Sequence, residues 1–171
     1  IIIEEDQPNA AVQFDNQTVL SGSTKVTVAN ATFSGSKDFV LVVHQSSPGE
    51  NGIVDSPAEI NEKIGSSDLL RNNTVSNVTV NLTKNLDANL TQLTQSQTLI
   101  TMLHFANESG STNFGSPIVR NETPVFDQAN ITVQQQRPQI AAVQFDNQTL
   151  PNGSTSVTIA NATFNGSSQF N

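Results

Sequence analysis

Residues 10–40 read AAVQFDNQTVLSGSTKVTVANATFSGSKDFV, and residues 141–171 read AAVQFDNQTLPNGSTSVTIANATFNGSSQFN. The offset is 131 residues, and 22 of the 31 aligned positions are identical. Inside each stretch apolar and polar residues alternate, as in VQFDNQTV (12–19) and STKVTVANATF (23–33). Alternation with period two marks a half-buried β-strand. An interval of this size is one small domain long, so the repeat predicts a tandem array of similar domains that each open with strands.

Working outward, residues 10–136 form one complete repeat and residues 141–171 supply the opening strands of the next. Residues 137–140 (RPQI) read as a linker. IIIEEDQPN (1–9) resembles ITVQQQRPQI (131–140), so residues 1–9 read as the last strand of a preceding repeat plus its linker. Pro8 and Pro138 stiffen the two joints. Further strands are expected at VSNVTVNLT (75–83), QTLITMLHF (97–105) and DQANITVQ (127–134). DFVLVVHQ (38–45) is nearly continuous in apolar residues and reads as a central strand covered on both faces. Val, Ile, Thr and Phe dominate these runs, and SGS (21–23), SGS (34–36), SPGENG (47–52) and NESGSTN (107–113) supply turn chemistry between them. PAEINEKIGSSDLL (57–70) is the best candidate for a short helical turn. The expected fold class is all-β: an immunoglobulin-like antiparallel β-sandwich in tandem repeat. Its core should hold Val12, Phe14, Val26, Val28, Phe33, Val40, Val42, Val78, Val80, Ile100, Met102 and Ile131.

The net charge of −8 speaks against nucleic acid, whose binding needs clustered Lys and Arg. It also speaks against anionic membrane surfaces. No apolar run reaches the length of a membrane span. The absence of Cys removes disulfides and thiolate chemistry. Charged residues make up only 13% of the chain, so something other than charge must keep the surface soluble.

Sugar is the candidate. The acceptor pattern Asn-x-Ser/Thr occurs at Asn16, Asn30, Asn72, Asn77, Asn81, Asn89, Asn107, Asn121, Asn130, Asn147, Asn152, Asn161 and Asn165, which is 13 of 20 asparagines. With Ser and Thr at about a fifth of the chain, chance would give roughly four. The repeats retain the pattern at Asn16/Asn147 and Asn30/Asn161, and the second adds Asn152 and Asn165 where the first has Ser21 and Ser34. Asn77 and Asn81 are an even number of residues apart and should share an outer face, with Val78, Val80 and Leu82 inward. Covalent N-glycans on such positions imply an extracellular, cell-surface protein.

VQFDNQT (12–18), KVTVANATF (25–33), DFVLVVHQ (38–45), NVTVNL (77–82), QTLITMLHF (97–105) and PVFDQANITV (124–133) form an ordered series. That series resembles the β-sandwich repeats of archaeal, mainly haloarchaeal, secreted cell-surface proteins, a family of unknown function. The resemblance implies an extracellular, tandem domain without assigned catalysis. In that family an acidic, Asn-rich loop suited to a hard cation follows the strand that ends in His. Here His104 is followed by FANESGSTNF, in which only Glu108 is acidic, and this departs from a calcium-binding pattern.

Candidates for chemistry are few. His44 and His104 each end an apolar strand, and two histidines without a third ligand make a poor zinc site. Asp15 and Asp127 are the one conceivable carboxylate pair. Asp15 recurs as Asp146, which marks it as part of the fold unit rather than a catalytic group. Glu50, Asn51 and Asp55 could offer oxygen ligands to a cation, or simply form a polar turn. Lys25 becomes Ser156 in the second repeat, which argues against a shared Lys–Asn crosslink. Phe14, Phe33, Phe39, Phe105 and Phe126 suit a core better than a sugar-stacking face, since Trp and Tyr are absent. No catalytic residue and no cofactor is expected, and the chain is not expected to be an enzyme. The leading expectation is a structural segment of a heavily N-glycosylated filament, sheath or surface layer. Its partners would be copies of itself, joined by donor-strand complementation. An adhesin or carbohydrate-binding repeat is the alternative, and a spacer of a secreted enzyme the third.

Overall fold

In the computed structural model, the described residues are 9–47, 52–54, 56–71, 73–82, 90–107, 114–135 and 140–165. They group into two compact units that divide after Gln134. The first contains β1 (Ala10–Gln13), β2 (Gln17–Leu20), β3 (Lys25–Phe33), β4 (Phe39–Ser46), β5 (Ile60–Ser66), β6 (Asn73–Asn81), β7 (Gln97–Ala106), β8 (Phe114–Pro117), β9 (Val119–Arg120), β10 (Thr123–Pro124) and β11 (Phe126–Gln134). The second contains β12 (Ile140–Gln144) and β13 (Asn161–Asn165). The fold is all-β. Helical geometry among the described residues is limited to one 3-10 turn, Pro57–Glu59. The expected short turn in 57–70 is therefore confined to Pro57–Glu59; after it the chain becomes β5, where Ile64 is buried in the core and backbone pairing with β4 outweighs the helix-compatible spacing of Glu59, Glu62 and Lys63.

The main sheet runs β1-β3-β6-β5-β4-β7-β11-β2, with β8 added to β7. Its two halves, β1-β3-β6 and β5-β4-β7-β11-β2, meet at a narrow junction where Ser66 on β5 pairs with Asn81 on β6. Gly65 permits this approach, because a Cβ there would lie 2.6 Å from the Asn81 carbonyl oxygen. The sheet curls so that both halves face one core, the plan of a β-sandwich. One half contributes Val26, Val28, Ala31, Phe33 and Val80; the other contributes Phe39, Leu41, Val43, Leu99, Leu103 and Ile131.

Alternation built this core largely as expected. Phe14, Val26, Val28, Phe33, Val80 and Ile131 are buried in it, while Val12 and Val78 are half-buried and pack against the cluster; Val40, Val42, Ile100 and Met102 are also buried, but outside this cluster, on the opposite face of β4 and β7. Three local features depart from simple alternation. The stretch 12–19 is two short strands, because the chain crosses from one half of the sheet to the other at Phe14–Asn16. Beyond that corner β2 runs parallel to β11, with Ile131 opposite Gln17 and Gln134 opposite Leu20, so the sheet is not purely antiparallel. In the β3–β6 pair the buried phase changes from Val26 and Val28 to Ala31 and Phe33. The ladder is interrupted there opposite Ala29, where Asn77 takes a φ of 53°. Asn tolerates this left-handed backbone better than most residues.

Candidate functional site

The histidines lie on the face of β4 and β7 turned away from the main core. On that face Val40, Val42 and His44 stand beside His104, Met102 and Ile100, with Val40 opposite His104 and His44 opposite Ile100. Both rings are buried and stack at a centroid distance of 5.8 Å, inclined by 21°. Phe114 of β8 meets the His104 ring edge-on at 5.0 Å, and the Lys63 ammonium lies 5.2 Å from the Phe114 centroid. Each histidine sits beside a slip in the ladder, His44 between β4 and β5 and His104 between β7 and β8. His44 Nδ1 donates to the Asn61 carbonyl at 3.0 Å, and His104 Nδ1 donates to the Gly115 carbonyl at 2.9 Å. A carbonyl oxygen can only accept, so Nδ1 carries the proton in both rings. Each imidazole thus satisfies a backbone oxygen at an irregular point of the sheet.

His104 Nε2 and Thr101 Oγ1 have no hydrogen-bond partner among the described residues. Burial lowers the pKa of His104 to about 4; the Gly115 carbonyl opposes this, and repulsion from His44 and Lys63 adds to it. The ring is therefore neutral at pH 7. Among the described residues no three His, Cys, Asp or Glu side chains assemble as a metal-binding group. Glu50, Asn51, Asp55 and Glu108 lie outside the described residues.

The two expected acidic residues have separate tasks. Asp127 Oδ2 accepts from the Phe14 backbone N–H at 2.7 Å, and its Oδ1 accepts from the Gln128 N–H at 2.9 Å. The first bond clips the β1–β2 corner onto β11 across 113 positions of sequence. Asp15 is exposed and accepts from the Gln13 amide at 2.9 Å. Charge-assisted bonds to a half-buried carboxylate are worth about 1.5–3 kcal/mol. Asp127→Ala should therefore lower unfolding free energy by about 2 kcal/mol, whereas Asp15→Ala should change it by less than about 0.5 kcal/mol. Paired urea titrations check this, and equal effects at the two positions would remove the distinction.

Acceptor asparagines are spread over both units. Asn16, Asn77, Asn107, Asn121, Asn130, Asn147, Asn152 and Asn161 are exposed, whereas Asn30 and Asn81 are half-buried. Asn72 and Asn89 lie outside the described residues, as does the side chain of Asn165. Val80 and Leu82 do point inward, but Asn77 is directed by its own left-handed backbone rather than by strand phase. Asn16 and Asn130 are neighbours, a relation that sequence spacing could not show. Asn16 Oδ1 accepts from the Asn130 N–H at 2.7 Å, and Asn130 Oδ1 accepts from Thr98 Oγ1 at 2.9 Å. In both, the amide oxygen is anchored to protein and the amide nitrogen remains the group that a glycan would occupy. Asn30 differs: its Nδ2 donates to Gln13 Oε1 at 3.3 Å, a bond that substitution at that nitrogen would have to respect.

The second unit repeats the first at the level of bonds. β12 and β13 pair from Ala141↔Phe164 to Gln144↔Asn161. Subtracting 131 gives Ala10↔Phe33 to Gln13↔Asn30, the register of β1 and β3. Gln144 donates to Asp146 at 3.0 Å as Gln13 does to Asp15 at 2.9 Å. The Gln148 amide grips the N–H and carbonyl of Thr158, as the Gln17 amide grips those of Thr27. Burial separates the two copies. Val143, Phe145, Leu150, Val157 and Ile159 are 67%, 60%, 47%, 58% and 55% exposed. Of their counterparts, Phe14, Val26 and Val28 are at most 2% exposed, and Val12 and Val19 pack against the core.

A family model described as Domain of unknown function (DUF7282) matches residues 10–136. The chain belongs to this family. No curated protein matches it. The DUF7282 match spans β1 to β11, so the histidine layer, the Asp127 clip and the curled sheet all lie within the family's domain. Among the described residues no helix is long and apolar enough to cross a membrane.

Proposed function

We propose that this DUF7282 chain is a structural segment of a heavily N-glycosylated extracellular filament, sheath or surface layer of archaeal type, whose partners are copies of itself joined through strand completion. The observation that carries the reading is the β12–β13 unit. It reproduces the register and side-chain bonds of β1 and β3 while leaving exposed the five apolar residues whose counterparts are covered in the first unit. Isolated two-stranded ribbons are marginal in water, so these residues call for cover by strands like β6 and β11. Acceptor asparagines on exposed positions of both units support a sugar-coated surface. The carboxylates and histidines of the described core are engaged with backbone groups, which suits a scaffold.

Electron microscopy of native-source cell surfaces, with antibody against this chain, should show it along filaments, sheath or surface layer. Label confined to a soluble secreted fraction would remove the reading. Peptide mapping of the same material should find sugar at several acceptors, with Asn16 and Asn30 expected on retention between repeats and Asn77 on its exposed position. Asn121 is expected to be the poorest acceptor, because Pro124 directly follows its Thr123. A chain recovered entirely unmodified would contradict the glycoprotein assignment.

A further inference from the structure

We infer that Asn30 receives its sugar only while the chain is unfolded, so that glycosylation of the first unit precedes its folding. This inference rests on the glycoprotein reading and names the form of the chain that the transferase accepts. The transfer is a substitution. The Asn amide nitrogen attacks the anomeric carbon of a glycosyl phosphate donor and a C–N bond forms. The C–O bond to phosphate breaks, its electron pair leaves on the phosphate oxygen, and the amide gives one proton to a base. The nitrogen must therefore be reachable, and the fixed Ser or Thr two residues on means that its hydroxyl is read as well.

In the folded first unit each of these groups is engaged at Asn30. β3 lies between β1 and β6. Asn30 stands opposite Gln13 on one side and Ser76 on the other. Its Nδ2 donates to Gln13 Oε1 at 3.3 Å, and its Oδ1 accepts from Ser76 Oγ at 2.6 Å. The Thr32 hydroxyl, the second half of the pattern, shares a hydrogen bond of 3.0 Å with that of Thr74 on β6. Asn30 and Thr32 are half-buried, whereas Asn16 and Asn130 are exposed together with Thr18 and Thr132. Freeing Asn30 means lifting β1 and β6 off a strand whose Val26, Val28 and Phe33 belong to the core, an opening on the scale of the whole unit. The product nevertheless fits the fold. An amide nitrogen carries two hydrogens, so the sugar replaces one and the other serves Gln13. Ser76 lies 46 positions beyond Asn30, so the window stays open until β6 has been delivered.

The chain carries its own comparison. Asn161 sits in ANATF (160–164), identical to ANATF (29–33), and both Asn161 and Thr163 are exposed. Unmodified full-length chain, made in a host without N-glycosylation, is treated with an Asn-x-Ser/Thr transferase and its glycosyl phosphate donor, and occupancy is read by peptide mass spectrometry. In the folded chain Asn30 should gain at least about tenfold less sugar than Asn161. Leu41→Asp with Leu103→Asp puts two charges into the core and unfolds the first unit, leaving every acceptor pattern intact. In that variant Asn30 and Asn161 should be modified equally. Equal modification in the folded chain overturns the inference, as does an Asn30 that stays bare in both forms while Asn161 is modified; neither result touches the glycoprotein reading. Sugar on no acceptor in either form removes that reading, and the inference with it.

Discussion

Phe33→Ala should lower the unfolding free energy of the first unit by about 4 kcal/mol, at the upper end for a single core truncation. Phe33 ends β3, is 1% exposed, and lies where the two halves of the sheet converge. Its ring stands edge-on to Phe39 and Phe105, each at a centroid distance of 5.7 Å. Such aromatic pairs add about 0.5–1.5 kcal/mol beyond buried area. The chain turns tightly around the ring: the space that a Cβ on residue 35 would need is filled by the end of the Phe33 side chain. Gly35→Ala should therefore also destabilise, by about 1–3 kcal/mol, through overpacking rather than a void. Urea denaturation followed by far-ultraviolet dichroism measures both. If Phe33→Ala cost less than about 1 kcal/mol, the convergence of the two halves on this ring would be wrong.

Acidification should destabilise the same unit through His104. The folded-state pKa is lowered to about 4, whereas the unfolded ring titrates near the ordinary 6.5. Between those values the unfolded chain binds a proton that the folded chain does not, so unfolding becomes easier as pH falls. Stability from the neutral ring is fully present above pH 6.5 and is lost progressively toward pH 4. At about 1.4 kcal/mol per pH unit, the loss approaches about 3 kcal/mol. Carboxylates titrate toward the lower end of this window, so the informative quantity is the difference between the native chain and His104→Gln. That variant should be less stable at pH 7 yet show a flatter stability profile between pH 6.5 and 4. Parallel profiles for the two proteins would sink the prediction.

The elements legible in the sequence were those with strict alternation or a continuous apolar run. β3, β4, β7 and β11 lie within a residue or two of where Val, Ile and Phe spacing put them. Less legible were features set by tertiary partners. β5 was hidden because INEKIGS carries two charged residues, Glu62 and Lys63, on a strand whose pairing with β4 slips. The β1–β2 corner falls in the polar run DNQT (15–18) of VQFDNQTV, but the group that holds it, Asp127, lies more than a hundred residues away. At the candidate site, recurrence pointed to Asp15 as the structural acid, whereas the clip is made by Asp127. Acceptor asparagines could be found by pattern. The His44–His104 stack and the Asn16–Asn130 contact could not, since each depends on register between strands distant in sequence.

The parallel pairing of β2 with β11 bears on how the first unit carries tension. A pull applied ahead of β1 and beyond β11 drags β2 and β11 in opposite directions along their own axes. The pairings from Gln17–Ile131 to Leu20–Gln134 are then loaded together rather than peeled one by one. β1 is drawn lengthwise against β3 at the same time, over the ladder from Ala10–Phe33 to Gln13–Asn30. Two short edge strands thus act as one clamp, set where the chain enters and leaves the domain.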